Sequence, residues 1–283
     1  MKLKNFLLSA AVIATAAGFT SCKKDSNSSS STEIESTFEI AGDQAISDNL
    51  NSDAEYVLNE AAIDNNFAGN TPVNVSSTLG VLGCATVTVT PLQGFPKTII
   101  IDFGTGCSAN AGGITRSGKI MVTLSDSLRK SGSIAVMTFN NYFVSGFKKE
   151  GKVTWTNTSQ GGTKSWEREC EDGKITAPGG RYWLHTGTQN VVQTQGSATP
   201  FNLLDDVFSI TGSHTVTNSE GKSRTSTITE ALEKKVICDN IDMGKIRIEG
   251  PNHYAVLDYG DGSCDKVATI SINGNTPRTI LLR

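Results

Sequence analysis

Metal-ligating and nucleophilic motifs are what this sequence has least of. It carries three histidines, His185, His214 and His253, scattered singly, and its six cysteines form no Cys-x-x-Cys pair. Structural zinc wants clustered cysteine and histidine ligands, so no zinc site is expected. The sequence has no Gly-x-Ser-x-Gly elbow, no His-Glu-x-x-His, no Walker loop and no dinucleotide fingerprint. Those absences remove the common hydrolase, metalloprotease, NTPase and dehydrogenase signatures and leave no cofactor to expect. Ser127 and Lys130 have Ser-x-x-Lys spacing but fall between two β runs. Acyl-enzyme chemistry wants that serine at the start of a helix, with partner motifs elsewhere. A basic block is also missing. The formal net charge is -3, with charges spread along the chain, so a polycationic nucleic-acid surface is excluded.

What is present begins with an export signal. Lys2 and Lys4 precede a short apolar run, Phe6 to Phe19, and Thr20 and Ser21 lead into Cys22. The run is too short to cross a bilayer comfortably and is followed at once by Lys23, Lys24 and Asp25, so residues 1–21 read as a cleaved leader. The segment resembles a bacterial lipobox, which implies that Cys22 is lipidated and becomes the mature N-terminus. A single acyl chain holds a protein to a membrane only marginally. The resemblance implies a diacylglyceryl group plus an N-linked chain such as palmitate, which meets that requirement. Residues 22–36, almost pure serine between Ser26 and Thr32, read as a flexible tether because they have no apolar area to bury.

From about Glu39 to Asn65, Ile46, Leu50, Val57, Leu58 and Ala61 recur at helical spacings among Asp, Asn and Glu. The period predicts one short amphipathic helix in a lead-in over residues 37–70. After Asn70 the pattern is strand, turn, strand to the end, without helical crossovers. Residues 85–90 alternate Thr and Val, residues 98–103 are rich in Ile, and residues 119–124 place Ile120, Val122 and Leu124 on one face. Residues 71–283 therefore read as a single antiparallel β domain in a mainly β chain. It is a large sandwich, a barrel or an open curved sheet, and the sequence leaves all three open.

Beyond Cys22 stand Cys84, Cys107, Cys170, Cys238 and Cys264, and export places them where thiols pair. The intervals from Cys84 to Cys107 and from Cys238 to Cys264 are nearly equal. Each closes with a similar run, Ile101-Asp-Phe-Gly-Thr-Gly-Cys107 and Leu257-Asp-Tyr-Gly-Asp-Gly-Ser-Cys264. Two strands and a turn fit within each interval and return the second cysteine beside the first. The prediction is Cys84 with Cys107 and Cys238 with Cys264, leaving Cys170 unpaired, in two copies of one hairpin unit.

Within the second copy, the turn from Asp258 to Ser263 resembles the signature of polycystic-kidney-disease-type domains, immunoglobulin-like modules of secreted and surface proteins. Over those six residues it implies a turn in a sandwich-like β protein. The same segment offers Asp258, Asp261 and Asp265 as a weak calcium candidate, although Asp and Gly dominate plain turns for reasons of their own. The acid pairs Glu167 with Glu169 and Asp205 with Asp206 read as solvated charges, since glycoside hydrolysis needs two carboxylates facing across a cleft. The aromatics Tyr142, Trp155, Trp166 and Trp183 gather in the middle third and mark the candidate binding surface, with core packing as the competing reading.

Through its leader, serine-rich tether and two glycine-cysteine turns, the chain resembles the uncharacterised β-rich lipoproteins of Gram-negative envelopes. That resemblance implies an outer-membrane lipoprotein, periplasmic or surface-exposed, and implies no activity. The leading expectation is a binding module for a glycan or an envelope protein. The alternatives are a polysaccharide-acting hydrolase and a lipid-handling open barrel, which needs a continuous apolar concave face.

Overall fold

The computed structural model describes residues 31–69, 79–108 and 113–282; Cys22, the leader and the serine run before Ser31 lie outside the described residues. The described chain begins as one helix, α1 (Ser31–Asp64), of 34 residues, about 50 Å long at the usual rise. It is longer than the short helix expected, because residues 31–36, assigned above to the tether, form its first turns. The Ser36 and Thr37 hydroxyls donate to the carbonyls of Thr32 and Glu33 one turn back, at 2.9 and 3.1 Å, so these residues fit inside a helix that shields them from water. The helix ends where Asn66 takes a φ of 59° and the Phe67 N–H donates to the Ala62 carbonyl at 2.9 Å. Asn is one of the few residues that accept this left-handed cap position.

The rest is a meander. Its strands are β1 (Thr86–Thr90), β2 (Lys97–Asp102), β3 (Cys107–Ser108), β4 (Thr115–Leu124), β5 (Ile134–Val144), β6 (Phe147–Asn157) and β7 (Lys164–Thr176). It continues with β8 (Tyr182–Gln195), β9 (Val207–Asn218), β10 (Ser223–Lys235), β11 (Met243–Glu249), β12 (Tyr254–Asp261), β13 (Val267–Ile272) and β14 (Arg278–Leu281). All belong to one antiparallel sheet in which each strand neighbours the next in sequence, except that β2 pairs with β4 and the short β3 adds to β4 off the main path. The sheet is not closed, and β1 and β14 are its edges. Of the three architectures left open above, the chain adopts the open sheet.

Alternation along the strands decides what faces inward. Ile99 and Ile101 on β2, Ile120 and Val122 on β4, and Ile246, Ile248, Leu257 and Ile270 on β11 to β13 are buried. Each such side chain contributes about 1.5–3 kcal/mol relative to leaving it in water. Helix α1 buries residues around its whole circumference, from Ile40 and Ala41 to Ala61 and Ala62. A flat sheet would cover one side only, so the sheet must curl around the helix.

Many of the buried helix residues are polar, and their partners change strand along the helix. Arg224 on β10 pairs with Glu33 at the N-terminal end. Trp183 Nε1 on β8 donates to Ser47 Oγ at 2.9 Å, and Lys149 Nζ on β6 donates to Asn51 Oδ1 at 2.6 Å. Arg116 on β4 pairs with Asp53, which also accepts from the Tyr142 hydroxyl of β5 at 3.2 Å. The helix therefore crosses the strands instead of running along them. At its centre Asp48 faces Arg168 of β7 at 3.8 Å and His214 of β9 at 3.4 Å, and accepts from Gln44 at 2.8 Å and Gln189 at 3.2 Å. Burial would raise the Asp48 carboxyl, but the hydrogen bond and charge of His214, with Arg168 and Gln44, hold it at about 2.

Two disulfides pin the ends of the meander. Cys84–Cys107 has a Cα separation of 5.8 Å and Cys238–Cys264 one of 5.2 Å. The first encloses the β1–β2 hairpin and the second the β11–β12 hairpin. The two closing turns share their geometry. Asp102 accepts from the Gly104 N–H at 2.8 Å and Asp258 from the Gly260 N–H at 3.0 Å, and Phe103 and Tyr259 both point into the core. Cys170 is a buried free thiol on β7, with its Sγ 3.4 Å from Nδ1 of His185.

Removing one bridge as Cys84→Ser/Cys107→Ser should lower unfolding free energy by about 3 kcal/mol on the chain-entropy estimate, measured by denaturant melts. Arg168→Met should cost roughly 3–5 kcal/mol because it leaves Asp48 buried without its cation, and the double change with Asp48→Asn should recover a large part of that. Additive losses in the two single variants and the double would refute the coupling of this pair.

Candidate functional site

The curled sheet and α1 leave one end of the concave face unfilled. There a cavity of about 530 Å³ opens beside the C-terminal half of the helix, within the range of small-molecule sites. Glu55 and Asn59, one helical turn apart, form its inner wall. Lys164 and Trp166 begin β7, Gln193 ends β8, and Asp206 and Phe208 lie at the start of β9. Registration brings them together: Lys164 pairs with Gln193, which pairs in turn with Phe208. Lys164 and Trp166 are two residues apart and share the face that carries Arg168, which points them at the helix.

The connection from β8 to β9 closes the outer side. It carries Phe201 and a 3-10 turn, Leu203–Asp205, capped by Asn202, whose side chain accepts from the Leu204 N–H. Asp206 packs against Gly196, where a Cβ would lie 2.0 Å from its Oδ1 and where φ is +86°. Only glycine gives that approach without displacing the carboxyl. Arg129 and Lys130, in the turn after β4, complete the rim. Arg129 donates to the Pro200 carbonyl and lies 5.4 Å over the Phe201 ring, while Lys130 is held by Asp126.

Two carboxyls dominate the interior. Glu55 is 7% exposed, and its carboxyl has no hydrogen-bond or ion-pair partner among the described residues. Burial pushes it up to about 7, with Arg168 opposing the rise and Asp206 adding to it. Asp206 is 6% exposed and accepts from Gln193 Nε2 at 2.8 Å. Burial raises it to about 7 as well, with the Gln193 hydrogen bond opposing and Asp205 adding. An aromatic wall stands beside them: Trp166, half-buried, packs edge-on to Phe208 at 6.4 Å between ring centroids. The arrangement can accept and donate hydrogen bonds at its floor, pack an apolar ring face on its wall, and hold negative charge at its rim.

The structure redistributes the residues singled out in the sequence. Tyr142, Trp155 and Trp183 are 0%, 3% and 0% exposed, so they form no surface; they face α1, where Trp183 and Tyr142 bond Ser47 and Asp53. Trp166 alone of that group reaches a cavity. Glu167 and Glu169 point outward. Asp206, just before β9, departs from the solvated reading because it is packed against Gly196 and bonded by Gln193, whereas Asp205 stays exposed. Asp258, Asp261 and Asp265 each accept from their own turn, from Gly260, Ser263 and Val267, and are not drawn into a common group. Among the described residues the group of three metal-type ligands within reach of one another is Cys238, Asp242 and Cys264, and both its cysteines are spent in a disulfide. Glu55, Lys164 and Phe201 were missed as site residues, and Asp206 was singled out but read as solvated. Only the shared face of Lys164 and Trp166 was readable from period-two spacing.

A second cavity of about 490 Å³ lies along α1 beside Ile46 and Leu50, with Val144, Phe147 and Val236 around it. No helix among the described residues is long and apolar enough to cross a membrane. Set against protein-family models, curated proteins and solved structures, the chain matches none of them.

The raised Glu55 carboxyl gives a testable pH dependence. Its folded value of about 7 exceeds the ordinary 4.5, so between these pH values the folded chain keeps a proton that the unfolded chain has released. The stabilisation is full below pH 4.5 and is lost as pH rises through 7. A shift of this size corresponds to roughly 3 kcal/mol. Glu55→Gln does not titrate, so the stability of the wild-type protein relative to the variant should fall by that order between pH 4.5 and pH 8. A difference that stays flat with pH in urea melts would contradict this placement of Glu55.

Proposed function

We propose that this protein is an envelope lipoprotein, anchored through an acylated Cys22, whose β domain binds a glycan in the cavity between α1 and the ends of β7, β8 and β9. The observation that carries the reading is Glu55: a carboxyl more than nine-tenths buried, without a protein partner, turned into a cavity that Trp166 walls. The carboxyl opens onto the cavity instead of onto a protein partner, so a ligand hydroxyl can hydrogen-bond it there. Gln193, Asn59 and Asp206 supply further hydrogen-bonding groups around the same space. An aromatic face beside such groups suits the apolar face of a sugar ring.

A second reading has one specific support. Glu55 and Asp206, both near 7, line one cavity, and paired carboxyls with perturbed protonation are the equipment of glycoside hydrolysis. The lipid-handling alternative has no such support. The concave face is occupied by α1, and a charged band of Arg116, Lys149, Arg168 and Arg224 interrupts its apolar stretches.

Cys22→Ser should move the protein from the membrane fraction to the soluble fraction, because acylation requires the thiol; retention in membranes would place the anchor elsewhere. On an immobilised oligosaccharide panel, the full-length protein should bind, and Trp166→Ala should weaken binding by about tenfold or more, while the outward-facing Glu167→Ala should not. Release of new reducing ends from bound oligosaccharides, lost in Glu55→Gln, would favour the hydrolase over the binding module.

A further inference from the structure

We infer that the ligand of this cavity is an acidic saccharide, its ring against Trp166 and its anionic substituent held at the mouth by Lys164 and Arg129. This rests on the glycan reading and adds charge selectivity to it. Four cations of the concave face are matched from the helix, Arg116 by Asp53, Arg168 by Asp48, Arg224 by Glu33 and Lys149 by Asn51, and the buried Lys97 and Lys234 bond backbone carbonyls. Lys164 breaks the pattern. It points to the same face, lines the cavity, and has no ion-pair or hydrogen-bond partner among the described residues. Arg129 is bonded only to a backbone carbonyl, that of Pro200, so no carboxylate neutralises it by direct contact.

The spacing suits a sugar. Lys164 and Trp166 are two residues apart on one face of β7, roughly 7 Å along the strand. A ring lying on Trp166 therefore brings a carboxylate or sulfate substituent within reach of the Lys164 ammonium. Its remaining hydroxyls face Glu55 and Gln193 at the floor. The carboxyls there do not oppose an anion under mildly acidic conditions: both Glu55 and Asp206 titrate near 7 and are mostly neutral donors at lower pH. Arg168 acts on Glu55 from behind, and Arg129 and Gln193 act on Asp206, so the deep end carries no unmatched negative charge then.

The test is calorimetric titration of detergent-solubilised full-length protein at about pH 6, below the values of both carboxyls. The probes are oligosaccharides of glucose, galactose and mannose, their uronate counterparts and their sulfated counterparts. At least one acidic series should bind on the order of tenfold tighter than its neutral parent, the size expected for one charge-assisted contact. The tighter of the uronate and sulfated forms identifies the substituent. Lys164→Gln and Arg129→Gln should each reduce that preference, and salt should narrow it. Equal affinity for neutral and acidic members, with Lys164→Gln weakening both alike, would overturn the charge selectivity and leave glycan binding standing. Binding of no member by wild-type protein would overturn both.

Discussion

A helix buried on every side must have its polar groups matched by whatever surrounds it, and this fold depends on that matching. Helix α1 carries Asp43, Gln44, Ser47, Asp48, Asn51 and Asp53 into the interior. Leaving any of these charged or polar groups without a partner there costs more than a typical net hydrogen bond returns. The sheet answers with His214, Trp183, Arg168, Lys149 and Arg116 from strands between β9 and β4, and with Arg181 from the connection leading into β8. One helix therefore sets the relative position of many strands, and the open sheet needs no closure between β1 and β14 to hold its curvature.

The matching is uneven, and the unevenness makes the site. Across the middle strands the helix fills the concave face. Toward its C-terminal half the strand ends of β7, β8 and β9 run past it, and the polar groups there have no counterpart on α1. Glu55 is left without a hydrogen-bond or ion-pair partner among the described residues, on a cavity it shares with Asp206, and Lys164 is left without an acid. Burial pushes both carboxyls toward neutrality, with Asp206 adding to the rise at Glu55 and Asp205 to that at Asp206, so the cavity has a floor that can donate or accept hydrogen bonds and a rim that is cationic. A site of this kind has its floor positioned by a helix and three paired strands, with its outer wall and part of its rim on loops.

The two cysteine-closed hairpins illustrate what spacing can carry. Nearly equal intervals and similar closing turns made the pairs Cys84–Cys107 and Cys238–Cys264 readable, because a disulfide is a local geometric demand on an antiparallel hairpin. The helix was readable only in part. Its apolar spacings marked residues near 46–61, but its first turns look like more serine tether, since nothing in Ser31 to Ser36 reveals that the helix runs on through them to bury Ser36 and Thr37. The aromatic cluster misled for a related reason. Trp155, Trp166 and Trp183 differ little as sequence, and all three face α1; only the place where the helix stops filling the trough separates the buried Trp155 and Trp183 from the accessible Trp166.

By itself the sequence determined the mainly β antiparallel character, the presence of a helix ahead of it, the two cysteine pairs and the absence of familiar catalytic signatures. Each of these follows from local spacing, alternation or turn chemistry, which act over a few residues to a few tens. Tertiary structure alone decided that the sheet stays open, that the helix lies inside it, and that Glu55 from α1, Trp166 from β7 and Asp206 just before β9 line one cavity. These arrangements bring Glu55 beside residues more than a hundred positions away, and no periodicity records them. They follow from which buried charges find partners across the sheet, and that is settled only when the whole chain has curled around its helix.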